Sequence, residues 1–169
     1  MPTEKTLILD HIQVNQKITR MAHELYEQHH KSKALFLIGI SGNGNNLARL
    51  LAEKMREISE LDIAHLEITV DKDSPTGKAP VFTGKLGELK GRSVVLVDDV
   101  LNSGKTLIHA ANFLLQVELK QLSVVTLIER LHRRFPIKAN VVGLTLSTNL
   151  KENVVVDLSA KSMSVHLEA

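Results

Sequence analysis

The stretch Ser93-Val94-Val95-Leu96-Val97-Asp98-Asp99-Val100-Leu101-Asn102-Ser103-Gly104-Lys105-Thr106 decides the fold and points to the site. Its unbroken apolar opening predicts a strand buried on both faces, as in a parallel sheet with helices above and below. Thr106 opens an apolar-periodic segment, read as a helix from Thr106 to Val117. In such sheets ligands bind outside the carboxyl ends of the strands, where Asp98 and Asp99 fall. Asn102, Ser103, Gly104, Lys105 and Thr106 then bring backbone N–H groups and hydroxyls to a helix N-terminus, a natural seat for phosphate. An acid pair beside a phosphate cradle asks for a ligand with both a diol or metal and a phosphate, such as a sugar phosphate.

Gly104-Lys105-Thr106 invites comparison with a nucleoside-triphosphate P-loop. That motif places a glycine five residues before Gly104, and the position is Asp99. A carboxylate there repels a triphosphate, so the spacing excludes the triphosphatase reading.

Outward from the central stretch, the same alternation repeats. Asp10 is a fair N-cap for a helix to about His29, whose Ile18, Met21, Ala22 and Leu25 form one stripe. Ala34–Ile40 reads as a second buried strand. It ends in a glycine-rich turn, Gly39 to Gly44, that lets backbone approach an anion closely. A helix carrying Leu47, Leu50, Leu51, Met55 and Ile58 follows, then a strand Ile63–Val70. From Asp71 to Gly91 the pattern dissolves into polar residues, which predicts a lid loop. Strands are expected at Leu122–Ile128, Val141–Leu146 and Val154–Leu158, with the last residues forming a polar tail. The fold class is therefore α/β: one domain over residues 1–169, a doubly wound, mostly parallel sheet with helices on both faces and one mobile lid.

Composition narrows the function classes. At 169 residues, 43% hydrophobic and 24% charged, the chain is globular and long enough for a sizeable core. A net charge of +2 does not by itself demand nucleic acid. Cysteine is absent, which excludes disulfides, thiolate metal sites and a cysteine nucleophile, and suits a reducing cytoplasm. One Tyr and four Phe argue against a broad base-stacking platform for single-stranded nucleic acid. No apolar run reaches membrane-spanning length. No His, Asp or Glu set has zinc spacing, and no Ser–His–acid arrangement stands out from chance. Arg130, His132, Arg133, Arg134 and Lys138 form a basic cluster, to which Arg20 and His23 of the first helix could add if the two surfaces meet.

Val94–Thr106 closely resembles the 5-phosphoribosyl-1-pyrophosphate (PRPP) motif of type I phosphoribosyltransferases: an apolar strand, two acids, two apolar residues, then x-Thr/Ser-Gly-x-Thr. The resemblance implies that Asp98 and Asp99 address the ribose hydroxyls and, through ribose or water, a Mg²⁺ ion. It implies that Asn102 to Thr106 wrap the 5′-phosphate. Ser41, Gly42, Asn43 and Gly44, with Lys72 from the lid, would take the pyrophosphate. Within that family the chain is most similar to the pyrimidine operon attenuation regulators that are also uracil phosphoribosyltransferases. The likeness runs through Ile8-Leu9-Asp10, Ile18–Glu24, Leu66–Thr69, Glu129–Ile137 and Ser147-Thr148. It implies uracil or UMP as ligand, a homo-oligomer of two or more chains, and a basic face for leader RNA at Thr19, His23, Arg130, Arg133 and Lys138.

The chain departs from that pattern at four places. Asn43 stands where the family has Arg in the pyrophosphate turn, and Lys72 where it has Arg at the lid's start. Lysine keeps the charge and loses the bidentate fork. Asn102 replaces a Tyr, at a position where 6-oxopurine salvage enzymes carry an acid, which counts against a purine role. Leu131 replaces a Gly in the segment facing the nucleobase.

Overall fold

The computed structural model describes residues 3–159 and 161–169. Six strands form the main sheet in the order β4-β3-β2-β5-β6-β7. They are β2 (Ala34–Ile40), β3 (Asp62–Thr69), β4 (Val81–Phe82), β5 (Ser93–Leu101), β6 (Gln121–Arg130) and β7 (Val141–Leu146). All neighbours are parallel except β4, which runs antiparallel to β3. Helices α1 (His11–His29) and α2 (Asn43–Ile58) cover one face, and α3 (Lys105–Leu114) the other.

β5 sits between β2 and β6, and its period-2 geometry divides its side chains between two cores. Val95 and Val97 join the core under α1 and α2, whereas Val94 and Leu96 pack with Leu107, Ala110 and Leu114 of α3. Burial on both faces is why this strand reads as continuously apolar. It runs on to Leu101, so the acid pair lies inside the strand and the polar turn begins at Asn102. The first helix starts as expected: Asp10 Oδ1 accepts from Gln13 N at 2.9 Å and Asp10 N donates to Gln13 Oε1 at 3.0 Å, a reciprocal capping box.

Two sequence expectations need correction. The C-terminal residues are not a polar tail. Ser164–Glu168 forms β9, which pairs antiparallel with both β1 (Lys5–Leu9) and β8 (Asn153–Asp157) in a separate three-stranded sheet. Val165 and Met163 bury against the α1–α2 core, a gain that exists only when both ends of the chain meet. The lid is also shorter than its sequence suggests. Val81 and Phe82 pair with Thr69 and Ile68, Leu86–Leu89 forms a 3-10 turn, and Phe82 meets Phe113 of α3 edge-to-face at 6.2 Å. Residues 71–80 are the part of that stretch left as loop ahead of β4.

Candidate active site

The phosphate-friendly turn is built by a left-handed glycine. Gly104 adopts φ 85° as the N-cap of α3, a left-handed conformation that favours glycine. A Cβ there would stand 2.6 Å from Ile137 Cγ2, so the segment after β6 packs directly behind the turn. That segment also grips the turn by its backbone: Arg134 N and Phe135 N donate to Ser103 O at 2.9 and 3.0 Å. Lys105 N donates to Ser103 Oγ at 3.3 Å. Residues Asn102 to Thr106 line a cleft of about 330 Å³, together with Asp98, Asp99, Lys72 and, unforeseen from sequence, Val154 of β8.

Asp98 is buried, 7% exposed, at the floor of this cleft. Its Oδ1 accepts from Asp99 N at 2.9 Å. Burial, then the neighbouring Asp99 charge, raises its carboxyl well above the ordinary 3.8, partly offset by Lys72. The fold thus holds an acid where its charge is unwelcome until something cationic or hydrogen-bonding arrives. Among the described residues no group of three or more His, Cys, Asp or Glu gathers to hold a metal. A cation at the acid pair would therefore take most of its coordination from ligand and water oxygens.

The glycine turn comes up against this floor. Gly44 lies so close that a Cβ would be 2.9 Å from Asp98 Oδ1 and 3.0 Å from Val97 O. Gly42, at φ 92°, caps α2, and Ser41 N donates to Ile68 O at 2.9 Å. The Asn43 side chain faces elsewhere. Its Nδ2 donates to Val156 O at 2.7 Å and its Oδ1 accepts from Leu158 N at 3.4 Å, tying α2 to the small sheet. The Ser41 hydroxyl is likewise engaged, donating to Ile68 O at 3.3 Å and bonded to the Thr69 hydroxyl, so what this turn offers an anion is chiefly backbone.

The five positions matched to an RNA face divide. Arg130 is not on an exposed face. It is 8% exposed and turned inward, donating to Asn102, Thr148, Asn149 and Glu152, because the end of β6 is covered by residues 147–152. Arg133 is half-buried in an ion pair with Glu129. Thr19 Oγ1 donates to Asn15 O within its own helix at 2.9 Å. His23 and Lys138 are exposed. Arg20 reaches the sheet edge, with Nη2 donating to Val142 O at 2.9 Å and Gly143 O at 2.6 Å. Arg20 thereby ties the first helix to β7, whereas the segment after β6 sends Ile137 and Ala139 into the core on the α3 face of the sheet. The signal missed in sequence was an arginine at the end of a buried strand, two residues past Ile128, where a guanidinium must find internal acceptors.

Residues 5–161 match the model of the phosphoribosyl transferase domain. The chain belongs to the phosphoribosyltransferase family. This phosphoribosyltransferase is 35% identical over 157 residues to the bifunctional protein PyrR of Haemophilus ducreyi, covering 89% of this chain and 88% of that one. It is 37% identical to PyrR of Citrifermentans bemidjiense, with 93% of each chain covered. In the fold it resembles hypoxanthine phosphoribosyl transferase of Trypanosoma cruzi, with TM-score 0.76 at 14% identity over 92% of this chain and 83% of that one. A hypoxanthine-guanine phosphoribosyltransferase of Bacillus anthracis superposes with TM-score 0.71 at 18% identity, covering 87% and 85%. Among the described residues no helix is long and apolar enough to cross a membrane.

Proposed function

We propose that this phosphoribosyltransferase moves the 5-phosphoribosyl group of PRPP to uracil, giving UMP and pyrophosphate. The observation that carries the reading is one cleft joining the Asp98–Asp99 pair to the Gly104 turn at the N-terminus of α3. In this reading the turn of residues 102–106 holds the 5′-phosphate through its backbone N–H groups and the Ser103 and Thr106 hydroxyls, and the acid pair orients the ribose hydroxyls. The backbone of 41–44 and the Lys72 ammonium face the pyrophosphate. The bond from ribose C1′ to the pyrophosphate oxygen breaks with the electron pair leaving on oxygen, and C1′ bonds to N1 of uracil, whose proton passes to solvent. Positive charge developing on the sugar is stabilised by the fixed carboxylates, and residues 71–80 exclude competing water. Mg²⁺, held through ribose or water by Asp98 and Asp99, would neutralise the leaving pyrophosphate.

The test is release of pyrophosphate from PRPP–Mg²⁺ on adding uracil, with Asp99→Asn as control. Absence of uracil-dependent release at high enzyme concentration sinks the reading.

A second reading concerns RNA, and the exposure of His23 and Lys138, two of the five positions matched to the RNA face, favours it. In this reading the same protein senses UMP and binds a pyrimidine leader RNA as a homo-oligomer. Affinity should fall steeply with salt and respond to UMP, and Lys138→Ala should reduce the salt slope by about one. Identical RNA affinity in His23→Ala with Lys138→Ala would show the face to be misplaced.

A further inference from the structure

Arg130 is the last residue of β6 and is buried, yet its partners are oxygens of neutral groups. Nε donates to Thr148 Oγ1 at 2.9 Å, and Nη2 donates to Asn149 O at 3.2 Å and Glu152 O at 2.6 Å. Nη1 donates to Asn102 Oδ1 at 3.0 Å. A guanidinium has donors only, so the end of the Asn102 carboxamide turned toward it must be the carbonyl. The other end is then the NH₂ group. Asn102 is exposed and lines the cleft, so the group it can offer a ligand is a donor. The same contact ties the side chain to the end of β6.

We propose that Arg130 and Asn102 act as one unit that presents a fixed hydrogen-bond donor to a carbonyl oxygen of the nucleobase. This rests on the phosphoribosyl-transfer reading of the cleft and deepens it. Asn102 is the specificity-determining residue, and Arg130 is its positioning residue, acting only through it. A carboxamide neither accepts nor releases a proton at working pH, so this point of the cleft selects the base by hydrogen bonding and takes no part in deprotonating it. Four of the five guanidinium N–H groups are engaged, which locks the plane of the fork and with it the amide. A base that turns an amino group toward this point meets a second donor and leaves both unpaired, which is costly in a confined site.

Calorimetric titration of the full chain with UMP and with ribose 5-phosphate tests the unit. Ribose 5-phosphate keeps the phosphate and the diol and lacks the base. Asn102→Ala should weaken UMP about three- to tenfold and leave ribose 5-phosphate within about twofold, the loss expected for one hydrogen bond to the base. Arg130→Lys keeps the charge but cannot hold the fork, so it should weaken UMP selectively by a similar factor. Adding Asn102→Ala to it should cost nothing further, because both changes remove the same interaction. Equal weakening of the two ligands by Asn102→Ala would place the amide at the phosphate and overturn the proposal. Unchanged UMP affinity in that variant, or additive losses in the double variant, would overturn it too. If the unsubstituted chain binds neither ligand, the underlying reading of the cleft fails and takes the proposal with it. Asn102 is exposed, so its variant carries the test even if Arg130→Lys does not fold.

Discussion

Replacing Asp98 by Asn should stabilise the protein while damaging its site. The carboxyl of Asp98 is 7% exposed, accepts a hydrogen bond from Asp99 N, and has a second acid beside it. Asn keeps the shape and the acceptor oxygen, and its NH₂ group can donate toward Asp99 as a protonated acid would. Because the folded-state pKa is raised, the unfolded chain ionises first as pH rises. The native protein therefore loses stability from the ordinary carboxylate value of 3.8 upward until its own raised value is passed. The Asn variant has no such loss. Relief of one strained functional charge contributes about 0.5–2 kcal/mol, which in a chain of this size raises Tm by roughly 1–8 °C at neutral pH. The gain should shrink as pH falls through 3.8 and vanish below about pH 3, where Asp98 is neutral in both states. Hydrogen bonds to a charged group are worth about 1.5–3 kcal/mol, so affinity for PRPP–Mg²⁺ should fall at least about tenfold. Calorimetric unfolding of both proteins across pH, with PRPP titrations alongside, measures all of this. A variant less stable at neutral pH, or a gain that persists undiminished in acid, would refute the argument from burial.

Gly104→Ala should cost about 1–3 kcal/mol, since it forces a left-handed φ on a residue with Cβ and drives that atom into Ile137. Ribose 5-phosphate binding should be lost with it, as read by Tm and titration. His29 is 2% exposed with Nε2 unpartnered among the described residues, and burial, then Lys120, lowers its pKa below 6.5. Its neutral form stabilises the fold above 6.5, and that contribution is lost as pH falls through the lowered value. His29→Leu should therefore flatten the decline in Tm between about pH 7.5 and about pH 5, and an unchanged decline would assign it to other groups.

The parts of this protein legible in sequence are those set by residues close together in the chain. Period-2 and period-3.6 patterns placed β2, α1 and the core of β5 because burial on one or both faces acts on neighbouring side chains. The Asp98–Thr106 order announced its cleft for the same reason, since a strand end, a left-handed glycine and a helix N-terminus are adjacent features that orient one another. Arg130 shows where this stops. Its charge reads as surface in sequence, and only the covering residues 147–152 and the carboxamide of Asn102 turn it inward, each contributed from another part of the chain. Asn43 likewise looks like a ligand-facing residue until β8 arrives to accept its hydrogen bond. The C-terminal strand carries a short local alternation, Met163, Val165 and Leu167, and its place is decided by β1 and β8, which offer it two edges. Local chemistry by itself determined the sheet, its central strand and the sugar-phosphate character of the site. Tertiary structure decided which polar side chains remain free to meet a ligand, because a buried donor or acceptor must be satisfied by whatever the fold brings within reach.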